Sequence, residues 1–186
     1  MTTKLAFLWH MHQPYYRNMA TCESSLAKDP RQANARVLMG FLLEQRKKYP
    51  EAVACYRKAL ALAPDSLSAK CQLAWVLATS PDDTIRDGRE ALRLAQAVIG
   101  DTGGFSWKGL DVLGAAHAEM GNFADAVRVT EKAVGMAGER LDMHAASRAP
   151  SNWVEDEGYL AGRSSVEDMK RRIELYGKGK AYRDER

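Results

Sequence analysis

The stretch RVLMGFLLEQRKKYPEAVACYRKALALAP, residues 36–64, decides the fold of this chain. Apolar residues recur in it at intervals of three and four, for example from Val37 to Phe41, which is the spacing of an α-helix. Pro50 stands between two such runs, and proline is tolerated in the first turn of a helix because the N–H that it lacks would have no partner there. The stretch therefore predicts two helices joined by a short turn.

The same pattern returns twice further along the chain. A second unit begins 34 residues after the first, as Leu73 follows Met39, and a third begins near Leu110. Each unit has small residues where its two helices must cross, because a large side chain there would push the helices apart. These positions are Gly40 and Ala52, Ala74 and Ala91, and Gly114 and Ala126. The second unit has extra residues around 79–83, which predicts a longer connection between its helices.

This repeated pattern resembles the tetratricopeptide repeat. The first unit has residues in the order and spacing typical of that family, namely Met39, Gly40 and Leu43, then Ala52 and Tyr56, then Ala59 and Pro64. The resemblance implies an all-α fold in which antiparallel helix pairs stack as a solenoid over residues 31–140. It leaves an atypical segment at 1–30 and predicts an irregular loop at 141–163.

Residues 164–186 are predicted to form a closing helix and a tail. Their ending, ELYGKGKAYR at 174–183, resembles the cap helix at the end of bacterial repeat proteins. Ser164 or Ser165 is placed to cap the start of this helix. Its basic residues, Arg172 among them, are interpreted as a solvated outer face.

The resemblance also implies a function. Tetratricopeptide repeats are non-catalytic protein–protein interaction or scaffold modules, and they bind a peptide or a partner helix in a concave groove. The groove residues carried over from the family are Asn34, Val37, Phe41, Glu44, Gln45, Cys71, Trp75, Thr79, Lys108, Asp111 and Glu119. Phe41 and Trp75 are either anchors for the partner or packing residues between neighbouring repeats. No cofactor and no catalytic residue is expected in these units.

The first residues of the chain contradict this helical pattern. Residues 5–16, LAFLWHMHQPYY, resemble the opening strand of glycoside hydrolase family 57. That resemblance implies that His10, His12 and Gln13 are the remnant of a carbohydrate site for α-glucans, in a strand-like or disordered segment. A retaining glycosidase needs two carboxylates about 5 Å apart on a rigid frame, and no such frame follows. The alternative function is therefore a fragment or fusion of such an enzyme, arising from a gene fusion or from a sequence-assembly artefact.

Composition and net charge argue against several classes of function, namely nucleic-acid binding, membrane association and metal binding. A net charge of +3 in 186 residues is too small to indicate binding to nucleic acid or to a membrane surface. The mean hydropathy of -0.41, with no long apolar run, predicts no membrane span. The three cysteines have no metal-ligand spacing, which favours the reducing cytoplasm and no metal site. Because no capping helix is evident before the first repeat, self-association through that end is expected.

Overall fold

A computed structural model describes residues 33–147 and 165–184, with side chains described for 33–139 and 165–184. This part of the chain holds seven α-helices and no strand, which confirms the all-α prediction. In chain order the helices are α1 Ala33–Gln45, α2 Tyr49–Leu62, α3 Leu67–Thr79, α4 Gly88–Asp101, α5 Trp107–Glu119, α6 Phe123–Ser147 and α7 Val166–Gly177. The chain divides into two compact units, one ending at Pro64 and one beginning at Asp65.

The first unit contains α1 and α2, which pack along each other as a helix pair. Lys47 adopts a positive φ of 60° in the short turn that makes the pair antiparallel, and Pro50 lies in the first turn of α2, as predicted. A Cβ atom added to Gly40 would stand 2.5 Å from Cε1 of Tyr56. The hydroxyl of that tyrosine donates a hydrogen bond of 3.0 Å to Glu44. The prediction that the crossing requires a small residue is confirmed at this position.

The second unit stacks two further helix pairs, α3 with α4 and α5 with α6. Helix α5 packs on both α3 and α4, so the second pair lies against the first. The side chains of Ser66, Asp87 and Ser106 cap α3, α4 and α5 by accepting a hydrogen bond from an N–H of the first turn. Gly114 of α5 faces Thr130 of α6 with no room for a Cβ atom. The close approach of these helices therefore depends on small residues too.

Helix α7 closes the second unit. Of the two candidate capping serines, Ser165 caps this helix, because its hydroxyl accepts the N–H of Asp168 at 3.1 Å. The helix packs on α6 and buries Met169 in a cluster with Leu110 and Val129. It therefore covers the apolar face of the last helix pair, as the end of a stack of repeats requires.

Helix α6 is longer than the sequence pattern predicts. It runs to Ser147, so residues 141–147 are helical where the irregular loop 141–163 is predicted to begin. No proline or glycine stands in this stretch before Pro150, and such residues are what most often end a helix. The rest of the predicted loop and the atypical segment 1–30 lie outside the described residues.

Candidate functional site

The first helices of the two pairs in the second unit, α3 and α5, lie side by side. Trp75 and Thr79 are one turn apart on α3, and Asp111 and Glu119 are two turns apart on α5. Each pair of residues therefore shares one side of its helix. All four are among the predicted groove residues, and we call the face that they form the second-unit groove.

The end of the chain covers this groove. After α7 the chain turns at Gly179, which has a positive φ of 68°. The Gly179 N–H bonds to the carbonyl of Tyr176, and the Lys180 N–H bonds to that of Leu175, a Schellman arrangement that ends the helix and redirects the chain. Residues 180–184 then run to the groove without helical structure, and we call them the tail.

Asp184 fixes the tail to α3 through two hydrogen bonds. Its backbone N–H donates to the carbonyl of Thr79 at 2.8 Å, in the last turn of the helix, where carbonyls lack an intrahelical donor. Its carboxylate accepts the Nε1–H of Trp75 at 3.0 Å. Asp184 and Trp75 are both buried, and a hydrogen bond shielded from water is electrostatically stronger than an exposed one.

Arg172 of α7 lies at the centre of the site. Its side chain and that of Asp111 are each 1% exposed, and its Nη2 donates to both carboxylate oxygens of Asp111, at 2.8 and 2.7 Å. The guanidinium carbon stands 5.1 Å from the ring centroid of Trp75 and 5.4 Å from that of Tyr182, within the range of cation–π attraction. A buried charge requires a partner of this kind. The carboxylate and the two rings therefore hold Arg172 between α3, α5 and the tail.

Glu119 connects the tail to the segment between α3 and α4. Its Oε1 accepts a hydrogen bond from Nε of Arg86 at 3.0 Å, and its Oε2 lies 2.8 Å from Nη1 of Arg183 in the tail. Arg86 also donates to the carbonyl of Ser80 at 2.9 Å, just after α3. The extra residues predicted around 79–83 belong to this connection, which thus brings an arginine to the edge of the groove.

The structure brings four of the predicted groove residues of the second unit together. Trp75, Thr79, Asp111 and Glu119 each contact the tail or Arg172. Trp75 was open to two interpretations, and in the structure its indole packs against the chain's own tail, with its ring centroid 6.1 Å from that of the tail tyrosine. The two other predicted residues lie nearer the starts of their helices. Cys71 of α3 is buried, and Lys108 of α5 is half-buried.

The predicted groove residues of the first unit differ in their exposure. Val37 and Glu44 are 3% and 6% exposed, and Glu44 is engaged in a hydrogen bond within the helix pair. Phe41 is half-buried, while Asn34 and Gln45 are exposed. Of these five residues, Asn34 and Gln45 are therefore the most exposed to solvent.

The interpretation of Arg172 as part of a solvated basic face is wrong. Arg172 follows Met169 by three residues and precedes Tyr176 by four, so it lies on the same buried face of α7 as those two. That register is the sequence signal that could have identified it. Sequence reasoning also misses Tyr182 and Asp184, because no local pattern marks a tail that folds onto a residue 109 positions earlier in the chain.

Other predicted features fall outside this site. The carbohydrate-site remnant at His10, His12 and Gln13 lies outside the described residues, as does the end through which self-association is expected. Within the described side chains, no group of three or more His, Cys, Asp or Glu residues is placed to hold a metal ion. None of the helices in the described ranges is long and apolar enough to cross a membrane.

Burial shifts three titratable groups of the second unit, Cys71, Tyr176 and His117, toward their neutral forms. Burial raises the pKa of the Cys71 thiol to about 12, although the charge of Lys108 opposes this shift. Burial also raises the pKa of the Tyr176 phenol above its usual range, and desolvation lowers the pKa of His117. At neutral pH the thiol is therefore protonated and a poor nucleophile.

Comparison with known protein families supports the repeat that the sequence pattern predicts in the first unit. Residues 33–66 match the family model of the tetratricopeptide repeat, a range that spans α1 and α2 and ends at Ser66, the cap of α3. No curated protein is matched by the chain. The family match supports the resemblance that was drawn from Gly40, Ala52 and their neighbours.

Proposed function

Because the chain carries a tetratricopeptide repeat, we propose that it is a non-catalytic protein–protein interaction module that binds a peptide or a partner helix on the first helices of its pairs. Repeats of this kind form extended binding surfaces. The observation that best supports the proposal is the second-unit groove, which holds a non-helical segment of peptide chain, the protein's own tail. The free thiols of Cys55 and Cys71 support a cytoplasmic location for such a module.

The second-unit groove contacts the tail in the ways that peptide-binding sites use. The carbonyl of Thr79 accepts a main-chain N–H, which any peptide can supply. Arg172 offers a cationic surface to an aromatic ring, and Glu119 pairs with a basic side chain. The main-chain bond gives affinity without selecting a sequence, whereas the ring and the ion pair select side chains. These contacts support peptide recognition as the role of this face.

The face of α1 supports the same role in the first unit. Phe41 is half-buried there, with exposed Asn34 and Gln45 on the same helix. A partly exposed aromatic side chain with polar neighbours is a common arrangement at protein interfaces, where aromatic residues carry much of the binding energy. We therefore assign Phe41 as the residue of the first unit that contacts a partner.

Site-specific crosslinking tests this proposal. A photoreactive phenylalanine analogue replaces Phe41 in the full chain, and in a matched control the same analogue replaces Gln96, which is exposed on α4, a second helix of its pair. Irradiation in cells is expected to give discrete protein adducts from position 41 and not from position 96. An absence of adducts from position 41, or the same adducts from both positions, would contradict the proposed binding face.

A further inference from the structure

We infer that the tail is a built-in ligand of the second-unit groove, and that the partner segment which replaces it is an extended peptide with an aromatic ring two residues before a carboxylate. This inference rests on the proposed function, because it gives the chemistry of the partner that binds there.

The tail contacts α3, α5 and the side chain of Arg172 on α7. Asp184 bonds to α3 through both its N–H and its carboxylate. Arg183 pairs with Glu119 of α5, and the ring of Tyr182 lies over the guanidinium of Arg172. Each of these contacts uses a group that a separate peptide also possesses. The tail is thus held in the way that a peptide ligand would be held.

The connection between α7 and the tail allows the tail to leave without unfolding the helix. Residues 177–180 are all exposed, and the chain turns there at a glycine. Met169 anchors helix α7 in an apolar cluster with residues of α5 and α6, whereas the cluster that holds Tyr176 also includes Ala181 and Tyr182 of the tail. Release of the tail therefore leaves the core contacts of Met169 in place and removes two side chains from the cluster of Tyr176.

Without the tail, the groove would present four groups in a fixed order. The indole N–H of Trp75 would face a carboxylate, and the carbonyl of Thr79 would face a main-chain N–H. The guanidinium face of Arg172 would receive an aromatic ring, and the carboxylate of Glu119 would pair with a basic side chain between ring and acid. The chain's own sequence in these places is Tyr182, Arg183 and Asp184. An aromatic–basic–acidic segment is therefore the ligand that fits.

The tail also sets the affinity that a partner must exceed. A segment joined by a short linker has an effective concentration in the millimolar range at its own site. A partner peptide with only the same few contacts would rarely displace it. A longer partner gains further contacts toward the start of α5, where Lys108 is half-buried. The tail thus excludes short or poorly matched peptides from the groove.

Binding of the tail sequence in trans tests the inference. The probe is the fluorescently labelled peptide KGKAYRDER, residues 178–186, and its binding to the full chain is followed by fluorescence anisotropy. In one variant, Tyr182→Ala with Asp184→Ala, the intramolecular tail loses its ring and its carboxylate. We expect this variant to bind the probe roughly tenfold or more tightly than the wild-type chain, in which the tail competes.

A double-mutant cycle checks that the probe takes the place of the tail. Trp75→Phe, added to the tail variant, keeps a ring against Arg172 but removes the indole N–H. This substitution should weaken binding of the probe. It should also abolish the difference in affinity between the probe and a second probe that carries Asp184→Asn. This coupling is expected only if the probe's carboxylate binds where that of Asp184 binds.

Two results with the tail variant would overturn the inference. If the tail variant keeps its helical circular dichroism but binds the probe no better than the wild type, the tail is not a ligand of this groove. If the tail variant loses its helical signal, the tail is a structural part of the unit and cannot be displaced. The crosslinking at Phe41 is independent of the tail. Probe binding without adducts at Phe41 would refute the proposed function alone, and adducts without probe binding would refute this inference alone.

Discussion

Arg172 and Asp111 are opposite charges that are almost completely removed from water, each side chain being 1% exposed. Substitution of one member leaves the other charge buried without its partner, which costs about 3–5 kcal/mol in comparable pairs. We therefore expect Asp111→Ala to lower the free energy of unfolding by that amount, measured by urea denaturation followed by circular dichroism.

An exposed ion pair on α7, the helix that carries Arg172, provides the matched control for that substitution. Lys170 and Glu167 bond at 3.0 Å but are 54% and 72% exposed, and such pairs contribute little because water screens them. Glu167→Ala should leave the denaturation midpoint nearly unchanged. If Asp111→Ala were as mild as Glu167→Ala, the charge of Arg172 would have another means of compensation, and the central role given to the pair would be wrong.

The buried thiol of Cys71 makes stability depend on pH in the alkaline range. Its pKa rises from 9.0 to about 12 on folding because burial disfavours the thiolate. Between these values the unfolded chain releases the proton while the folded chain keeps it, so the free energy of unfolding falls as pH rises, by at most about 1.4 kcal/mol per pH unit. Denaturation at a series of pH values above about 8 measures this slope.

The Cys71→Ala variant isolates the contribution of the thiol. It is less stable at neutral pH because it loses buried atoms, but its stability should decline less steeply above pH 9.0, the value of the thiol's unshifted pKa. Comparison of slopes rather than of absolute stabilities removes the packing effect. Parallel curves for the variant and the wild type would show that this thiol is not the group that titrates.

At the scale of the helices, the effect of replacing a glycine depends on what surrounds it. A Cβ atom at Gly40 would lie 2.5 Å from the buried ring of Tyr56, whereas one at Gly135, exposed within α6, would meet nothing within 4 Å. Gly40→Ala should therefore destabilise the protein by about 1–3 kcal/mol through overpacking. Gly135→Ala should stabilise it by roughly 0.5–1 kcal/mol, because alanine is the better helix former.

Thermal denaturation of both variants measures this difference. The two substitutions are chemically identical, so opposite signs can come only from the surroundings of each glycine. A stabilising effect of Gly40→Ala would show that α1 and α2 can separate to admit a methyl group, and the small residue at the crossing would then not be required.

The helix pairs could be predicted from sequence because the signals for them are local. Apolar spacing in residues 36–64, Pro50 and the small residues at the crossings all act within one helix pair. The end of α6 was predicted too early, since a change in pattern is a weaker signal than a helix breaker. Boundaries without a proline or glycine are therefore the part of an element that sequence reasoning places least well.

At the scale of the whole molecule, the candidate site depends on contacts between distant parts of the chain. The family resemblance predicted Trp75 and Asp111 as groove residues, but not what lies against them. The bond from Arg172 to Asp111 joins residues 61 positions apart, and that from Trp75 to Asp184 joins residues 109 positions apart. Such contacts follow from how helices and tail are arranged in space, which no periodicity within a helix encodes.

The second unit is built as a stack in which each helix packs on its sequence neighbours and on the next pair. Damage at one end of such a stack should therefore weaken the near helices more than the far ones. Met169 of α7 is 0% exposed and packs in a cluster with Leu110 and Val129. Met169→Asp places a carboxylate in this apolar cluster, at a large cost in stability. We expect protection from hydrogen exchange to fall most in α6, less in α5 and least in α4.

Amide hydrogen exchange followed by mass spectrometry resolves these helices separately. The control is Glu174→Asp, which puts the same side chain on the exposed face of α7 and should leave the exchange of all three helices unchanged. A graded loss of protection would show that α7 stabilises its neighbours in order of proximity. An equal loss in α4, α5 and α6 would instead mean that the second unit opens as one cooperative body, because the tail and Arg172 connect α7 directly to both α3 and α5.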